Sequence, residues 1–482
     1  MMPFAGFAPD IVPTADGVLP ACMNIVPTLK GLKGIPSAID TALPALASEC
    51  RGIVLARKLD GSTRAIAGTQ TKLYDGTSGT SWTDVSRAGN YIGGAENLWR
   101  FCQFGDATIA TNRTDAMQAS TAGAFADIAT APKASIVETV SGFVMAFDTS
   151  DGTYGDSPDR WWCSALYDHT SWTPSIATQA ATGRLVDSPG NIRAGKRLGS
   201  QIVVYKERSM YLGTYQGAPI IWSWQLIPGE IGALSQECVV DIGVAHIFVS
   251  HDDIYLYDGS RPVSIGAPLK EWFFAGDLNQ TYKYRTKGVH DRVNSVVYFF
   301  YPSKNGGGEV DSYIAYNYKS QKWGYGMMTI QVMAEYISGS VTYDTITGSW
   351  TYDTMPAIAY DSPFWLAASP ILAFVNTANK VQTLTGISGS SSITTGDIGD
   401  DDLYSTLTKV RLQAIKAPTS ATLTHYTRPT LGGTLVTRTS SSLTDGKFDV
   451  LWSARWHRLK IDFTGDYEIT AFDPKAVADG VN

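Results

Sequence analysis

Residues Gln201–Ile265 read QIVVYKERSMYLGTYQGAPIIWSWQLIPGEIGALSQECVVDIGVAHIFVSHDDIYLYDGSRPVSI. Short apolar runs (Ile202–Tyr205, Met210–Leu212, Ile220–Trp224, Val239–Ile242, His246–Val249, Ile254–Tyr257) alternate with turn-forming or charged residues. Runs this short, rich in Ile, Val, Tyr and Trp and bounded by Gly or Asp, describe antiparallel strands and tight turns rather than helices. Two units match. Ile202–Leu212 is strand, polar turn, strand, and His246–Leu256 repeats that arrangement about 44 residues later. They read as the inner hairpins of neighbouring β-propeller blades.

The same unit recurs outward from this stretch. A Tyr closes the third strand, often as Tyr-Asp or Tyr-Asn, and a Trp follows after a polar loop. The instances are Tyr74-Asp75 with Trp82, Tyr167-Asp168 with Trp172, Tyr215 with Trp222, Tyr257-Asp258 without a Trp, and Tyr316-Asn317 with Trp323. A weaker unit surrounds Met117, and a further hairpin runs from Ile371 to Leu384. Anchors about 43–59 residues apart fit four-stranded blades. The expectation is an all-β chain with a propeller of six or seven blades over residues 51–388, closed by N- or C-terminal strands. An insertion over Thr329–Pro356 precedes the last hairpin.

The flanks differ. Residues 1–50 carry Pro at 3, 9, 13, 20, 27, 36 and 44, which excludes a long helix or a central strand. They read as an extended arm that must bury Ile25, Val26, Leu29, Leu32 and Ile35 on its own propeller or on another chain. The candidate assembly interface is therefore Asn24, Ile25, Val26, Pro27, Leu29, Leu32 and Ile35. Deleting residues 1–36 is expected to leave a folded propeller. Residues 389–402, within a Ser/Thr/Gly/Asp run, read as a linker. Alternating strands over 403–482 predict a β-sandwich or a sheet packed on the propeller. Thr41–Glu49 and Pro268–Phe274 are the only helix candidates.

At 482 residues the chain has room for two or three domains. Charged residues make up only 17%, against roughly 25% in ordinary soluble proteins, which favours β structure with polar, uncharged surfaces. No apolar run is long enough for a membrane-spanning helix, and the N-terminus lacks the basic start and apolar segment of a secretory signal. The formal charge of −7 argues against a DNA-gripping surface, which needs a basic stripe. Cys22, Cys50, Cys102, Cys163 and Cys238 are odd in number, scattered and free of CxxC spacing. They read as buried thiols, with no metal or other cofactor expected.

Catalytic signatures are missing: there is no GxxxxGK[ST], GxSxG or HExxH. His251-Asp252-Asp253 reads as a hairpin turn rather than an acid–base cluster. Asp156 to Trp162 (DSPDRWW) reads as a turn with an Asp–Arg pair beside core tryptophans, and alternatively as a sugar-stacking loop. A propeller glycosidase is the sharpest enzymatic rival. Its repeated turn carries Asp two residues before a Gly, whereas Thr77 precedes Gly79 here, and the turns before Trp172 and Trp350 also lack the Asp. Basic residues cluster at Lys196-Arg197, Lys206 with Arg208, Lys283–Lys287 and Arg455–Lys460. In the last cluster, Trp456, Arg458 and Lys460 share one strand face. Arg455, Arg458 and Lys460 are the candidate DNA or partner patch, against the plainer reading of solvated strand edges.

Taken together, the chain resembles the tail hub, or nozzle, proteins of short-tailed bacteriophages, the packaged-DNA stabilisation family. The residues that carry the likeness are the arm around Asn24–Thr28, the central Asp159–Leu166, Leu198–Tyr205 and Phe248–Gly259, and the closing Arg455–Phe463 with Glu468–Phe472. The resemblance implies a non-enzymatic virion component, made in the host cytoplasm. It implies a homohexameric ring below the portal and adaptor proteins, near tail fibre or needle proteins, with genomic DNA in its lumen and no sequence-specific contact. The family has no catalytic residues to carry over. Six copies at −7 give about −42, compatible with a conduit along which DNA slides. The alternatives are a propeller interaction module of another assembly and a glycan hydrolase.

Overall fold

The computed structural model describes residues 1–336 and 371–481. Its strands form seven four-stranded antiparallel sheets and two six-stranded sheets among the described residues. Each of the first six four-stranded sheets is a simple meander of consecutive strands. Blade one is Gly52–Arg57, Thr63–Gly68, Leu73–Asp75 and Thr83–Asp84; blade four is Ile192–Leu198, Gln201–Lys206, Met210–Gly217 and Ile221–Ile227. The first strands of the seven sheets touch one another in cyclic succession, one to two and onward to seven, and seven returns to one. That closed circuit makes the sheets the blades of a propeller.

The core lies between the faces of adjacent blades. Blades three and four pack Phe143, Phe147 and Trp161 against Ile202, Val204, Tyr211 and Trp222. Blades six and seven bring Tyr298, Phe300 and Tyr313 against Phe374. The Trp anchors fill these spaces as the repeat implies: Trp172 and Trp323 are fully buried. Tyr167 does not, because it sits in the loop between the third and fourth strands of blade three and is exposed. The two matching hairpins belong to blades four and five, but they are the middle two strands of each blade, not the innermost pair.

Blade seven explains why the repeat left the count at six or seven. It consists of Val332–Tyr336, Ile371–Val375, Val381–Gly386 and, from the far end of the chain, Ser37–Asp40. Ile39 pairs with Thr383 and Ala38 with Leu384. The N-terminal strand thus closes the ring. The expected insertion at Thr329–Pro356 begins with the first strand of this blade, and its residues from 337 onward lie outside the described residues, as does Trp350.

The remaining N-terminal residues are not a free arm. The two six-stranded sheets form a sandwich at the C-terminus. Its first sheet carries Lys447–Ala454, Leu403–Lys416, Glu468–Val481, Leu32–Gly34 and Ile25–Pro27, with Met2–Pro3 also on Glu468–Val481. Its second sheet carries Val436–Ser442, Ser420–Arg428, Trp456–Thr464, Ser391–Thr394 and Ala21–Met23, with Ile398–Gly399 on Trp456–Thr464. Asn24 alone separates the arm's strands in the two sheets and holds φ at 58°, a left-handed conformation that Asn tolerates. The expected linker 389–402 holds two of these strands. Thr41–Glu49 is not helical; it contains Pro44, whose carbonyl accepts from Trp82 Nε1 at 2.8 Å. A short helical stretch over Trp272–Asp277 overlaps the second helix expectation.

Ile25 and Leu32 belong to the same apolar cluster as Tyr205, Phe248 and Phe299 of the propeller and Leu423, Leu459 and Phe472 of the sandwich. The arm passes so close to the last strand of blade six that a Cβ at Gly324 would run into the Ile25 carbonyl. Burying Ile25, Val26, Leu32 and Ile35 contributes about 1.5–3 kcal/mol each, together comparable to the whole stability of a domain. The structure therefore reverses the truncation expectation. Deleting residues 1–36 is expected to give an aggregating or unfolded chain by circular dichroism; a cooperative melt at the full-length temperature would refute this packing account.

Candidate functional site

The seven residues assigned to an assembly interface are mostly consumed within the chain. Ile25 and Val26 pair with Gly34 and Lys33, and Pro27 pairs with Leu32. Ile25, Val26, Leu32 and Ile35 are buried. Asn24 donates from Nδ2 to the Ser390 carbonyl at 3.1 Å, and its Oδ1 accepts from the Met327 N–H at 3.2 Å. Only Leu29, on the turn between the two strands, is exposed, at 62%. The groove that the arm requires is supplied by its own blade six and sandwich.

The Arg455, Arg458 and Lys460 patch is likewise dispersed among internal partners. Arg458 makes a two-pronged contact with Asp397, Nε to Oδ1 at 3.0 Å and Nη2 to Oδ2 at 2.7 Å. Arg428 donates to the same carboxylate. Asp397 is buried, and its N–H donates to the Pro13 carbonyl at 2.7 Å. The arm, the supposed linker and two sandwich strands thus meet at one Arg–Asp–Arg cluster. Lys460 pairs with Asp462 at 2.9 Å, and Arg455 lies over the Tyr404 ring at 5.1 Å. The face assignment for Arg458 and Lys460 is correct, since His457, Leu459, Ile461 and Phe463 point into the core.

Carboxylates singled out for chemistry have structural duties. Asp159 grips Arg184, Nε to Oδ1 at 3.0 Å and Nη2 to Oδ2 at 2.8 Å. Partial burial pushes its carboxyl up, and the Arg184 hydrogen bonds and charge outweigh that and hold it below the usual range. Asp156 pairs with Arg113. This segment is a strand, Gly155–Cys163, rather than a loop, and Trp161 and Trp162 are buried. Asp253 accepts from the Ile254 N–H at 2.7 Å and Ser264 Oγ at 2.8 Å, and pairs with Lys270 at 3.3 Å, as a turn residue. All five cysteines are free and buried.

The propeller axis brings together residues that sequence reading left apart. At one end, Arg100 of blade two reaches Glu237 beside blade five, Nε to Oε1 at 2.6 Å and Nη2 to Oε2 at 3.0 Å. Burial alone would raise the Glu237 carboxyl, but the Arg100 charge and hydrogen bonds bring it below its ordinary value. Arg100 Nη1 also donates to the Ser135 carbonyl at 2.8 Å. This ion pair links blade two to the segment before blade five across the axis. At the other end, a cavity of about 580 Å³ is lined by Arg57, Arg197, Arg292 and Glu335. Arg197 was visible in sequence within the Lys196-Arg197 cluster; the other groups signal themselves through their place at the ends of first strands, which needs the blade boundaries to be known.

No protein-family model matches the chain, and no curated protein matches it in sequence. Among solved structures, YCF48 bound to D1 peptide aligns over 75% of this chain and 97% of its own, at 11% identity and TM-score 0.37. YCF48 from Cyanidioschyzon merolae aligns over 73% and 99%, at 8% identity and TM-score 0.38. Human WBSCR16 aligns over 60% and 85%, at 6% identity and TM-score 0.32. These scores are low, and the propeller assignment rests on the chain's own strand topology.

Two outcomes follow from the sandwich. Replacing Asp397 with Asn leaves Arg428 and Arg458 without their carboxylate, expected to cost about 3–5 kcal/mol; urea unfolding reads this, and an unchanged midpoint would contradict it. His425 and His457 stack in the core with Nε2 and Nδ1 2.9 Å apart. Burial, with His457 and Arg438 nearby, pushes His425 down to about 4, and burial also lowers His457. The unfolded chain binds these protons near the ordinary value of about 6.5, so their stability contribution is complete above that pH and is lost as pH falls toward 4. Melting temperature is expected to drop between pH 7.5 and 4.5, and to drop less in His425→Asn; an identical drop would exclude the pair as its source.

Proposed function

We propose that this protein is a non-enzymatic structural module of a larger assembly, and within that class the hub subunit of a short-tailed phage tail. The observation that carries the reading is the far end of the sandwich. Every residue from Lys475 to Asp479 is exposed, and in Val436–Ser442 all but Ser441 are exposed. Leu451 and Val477 stand in the open on the two strands that flank Leu403–Lys416 in one sheet. Strands with both faces in water gain little from their own chain, and exposed apolar side chains on an open edge invite a partner strand or surface.

The stitched N-terminus supports the same reading. It fastens propeller and sandwich into a single block, which suits a component that holds position and transmits force. An ion pair across the axis between Arg100 and Glu237 argues against passage of duplex DNA through the propeller itself. In a hexameric hub the DNA lumen therefore lies between subunits. The virion is the proposed location, with the head-to-tail connector as neighbour.

Native mass spectrometry tests this reading, with a particle of six 52.0-kDa chains as the expected species. The double variant Leu451→Asp/Val477→Asp is expected to melt like the wild type and fail to assemble. A wild-type chain that stays monomeric at all concentrations and with the other tail proteins would refute the assembly role. Turnover of host polysaccharide that disappears in Asp159→Asn would replace it with the hydrolase.

A further inference from the structure

The first strands of the blades run the same way around the axis. Their starting residues gather at the Arg100–Glu237 end: Gly52, Arg100, Lys287 and Val332 line one small cavity there. Their ends gather at the opposite face. Arg57 ends the first strand of blade one, Arg197 lies near the end of that of blade four, and Arg292 follows that of blade six. All three line the 580 Å³ cavity together with Glu335 of blade seven.

Charge in this cup is unbalanced. Arg292 pairs with Glu335, Nε to Oε1 at 3.2 Å. Among the described residues, the Arg57 and Arg197 side chains make no ion pair or hydrogen bond. Three guanidinium groups against one carboxylate give the cup a formal charge of +2 within a chain of −7. The wall beside them is mixed: Val54, Leu55, Ala56 and Cys102 supply an apolar part, and Gln103 and Thr108 a polar one. A recess with low-dielectric walls focuses such a field.

We infer that the axial cup binds the carboxylates of an acidic peptide segment. Guanidinium groups grip carboxylates through two parallel hydrogen bonds, and Arg57 and Arg197 approach the cavity from blades well separated around the ring. The mixed wall suits the aliphatic and backbone parts of a peptide. Glu335, already neutralised by Arg292, disfavours a densely charged polyphosphate while leaving room for spaced carboxylates. The volume falls in the usual range for ligand cavities of about 300–1,000 Å³. This assignment does not depend on the hub reading, and either can fail alone.

The test is fluorescence anisotropy of the full chain with a labelled peptide bearing three aspartates separated by single serines, against the same peptide with asparagines and against tripolyphosphate. Saturable binding of the aspartate peptide is expected, at least tenfold weaker for the asparagine peptide and weakened by salt. Arg57→Ser/Arg197→Ser is expected to lose at least tenfold while melting like the wild type, since both side chains are exposed. No binding, equal binding by the double variant, or arginine-dependent binding of tripolyphosphate without the peptide would each overturn the inference.

Discussion

The pairing of Ser37–Asp40 with Val381–Gly386 is the contact on which the rest of the structure depends. A propeller is a ring, and a ring left open exposes the faces of its first and last blades. Here the closing strand comes from the opposite end of the chain. Six blades lie between Ile39 and Thr383 in the chain. The entropic cost of that closure grows only slowly with loop length, but it is incurred before the contact rewards it, as for any long-range pairing. The same N-terminal segment then supplies strands to both sheets of the sandwich, with Asn24 turning the chain from one to the other. Closure of the ring and completion of the sandwich are therefore one structural event, and the two lobes share a single apolar cluster.

Much of the propeller was legible because its middle strands are locally determined. Ile202–Tyr205 and His246–Val249 are apolar on both faces, too short for helices, and end in polar turns, so periodicity and turn chemistry agree. The first and fourth strands carry less signal. Thr83–Asp84 and Val263–Ser264 are two exposed residues each, set by pairing rather than by composition. Blade seven was ambiguous because its closing strand lies some 340 residues from its neighbours in sequence. No local pattern encodes such a pairing.

The arm and the linker were misjudged for a related reason. Proline excludes a central strand, but Pro3 and Pro27 sit at the ends of strands of two and three residues, where a missing N–H is tolerated. The Ser/Thr-rich composition of Ser391–Thr394 resembles a linker, yet those residues pair on both sides, with Ala21–Met23 and with Lys460–Phe463. The basic strand after Arg455 was read correctly in its alternation and wrongly in its availability. Arg458 finds Asp397 from 61 residues away, and a charge whose partner is that remote looks free in sequence. The cost of burying Asp397 is offset only because two guanidinium groups converge on it.

The axis shows how one geometric constraint produces two different chemistries. Because the first strands are parallel around the ring, their start residues are forced together on one face and their end residues on the other. At the start face the converging cations have carboxylate partners: Arg100 pairs with Glu237, Arg51 with Glu49 and Lys196 with Glu138. At the end face they are mostly alike: Arg57, Arg197 and Arg292 line a cavity with one carboxylate, Glu335, which pairs with Arg292. Repulsion among like charges is tolerated there because Arg57 and Arg197 are exposed to water, whereas Arg100 holds the partly buried Glu237 carboxyl below its usual range. A ring of parallel strands thus gathers cations at both strand ends, largely matched by carboxylates at one and left electropositive at the other in a protein whose overall balance is acidic.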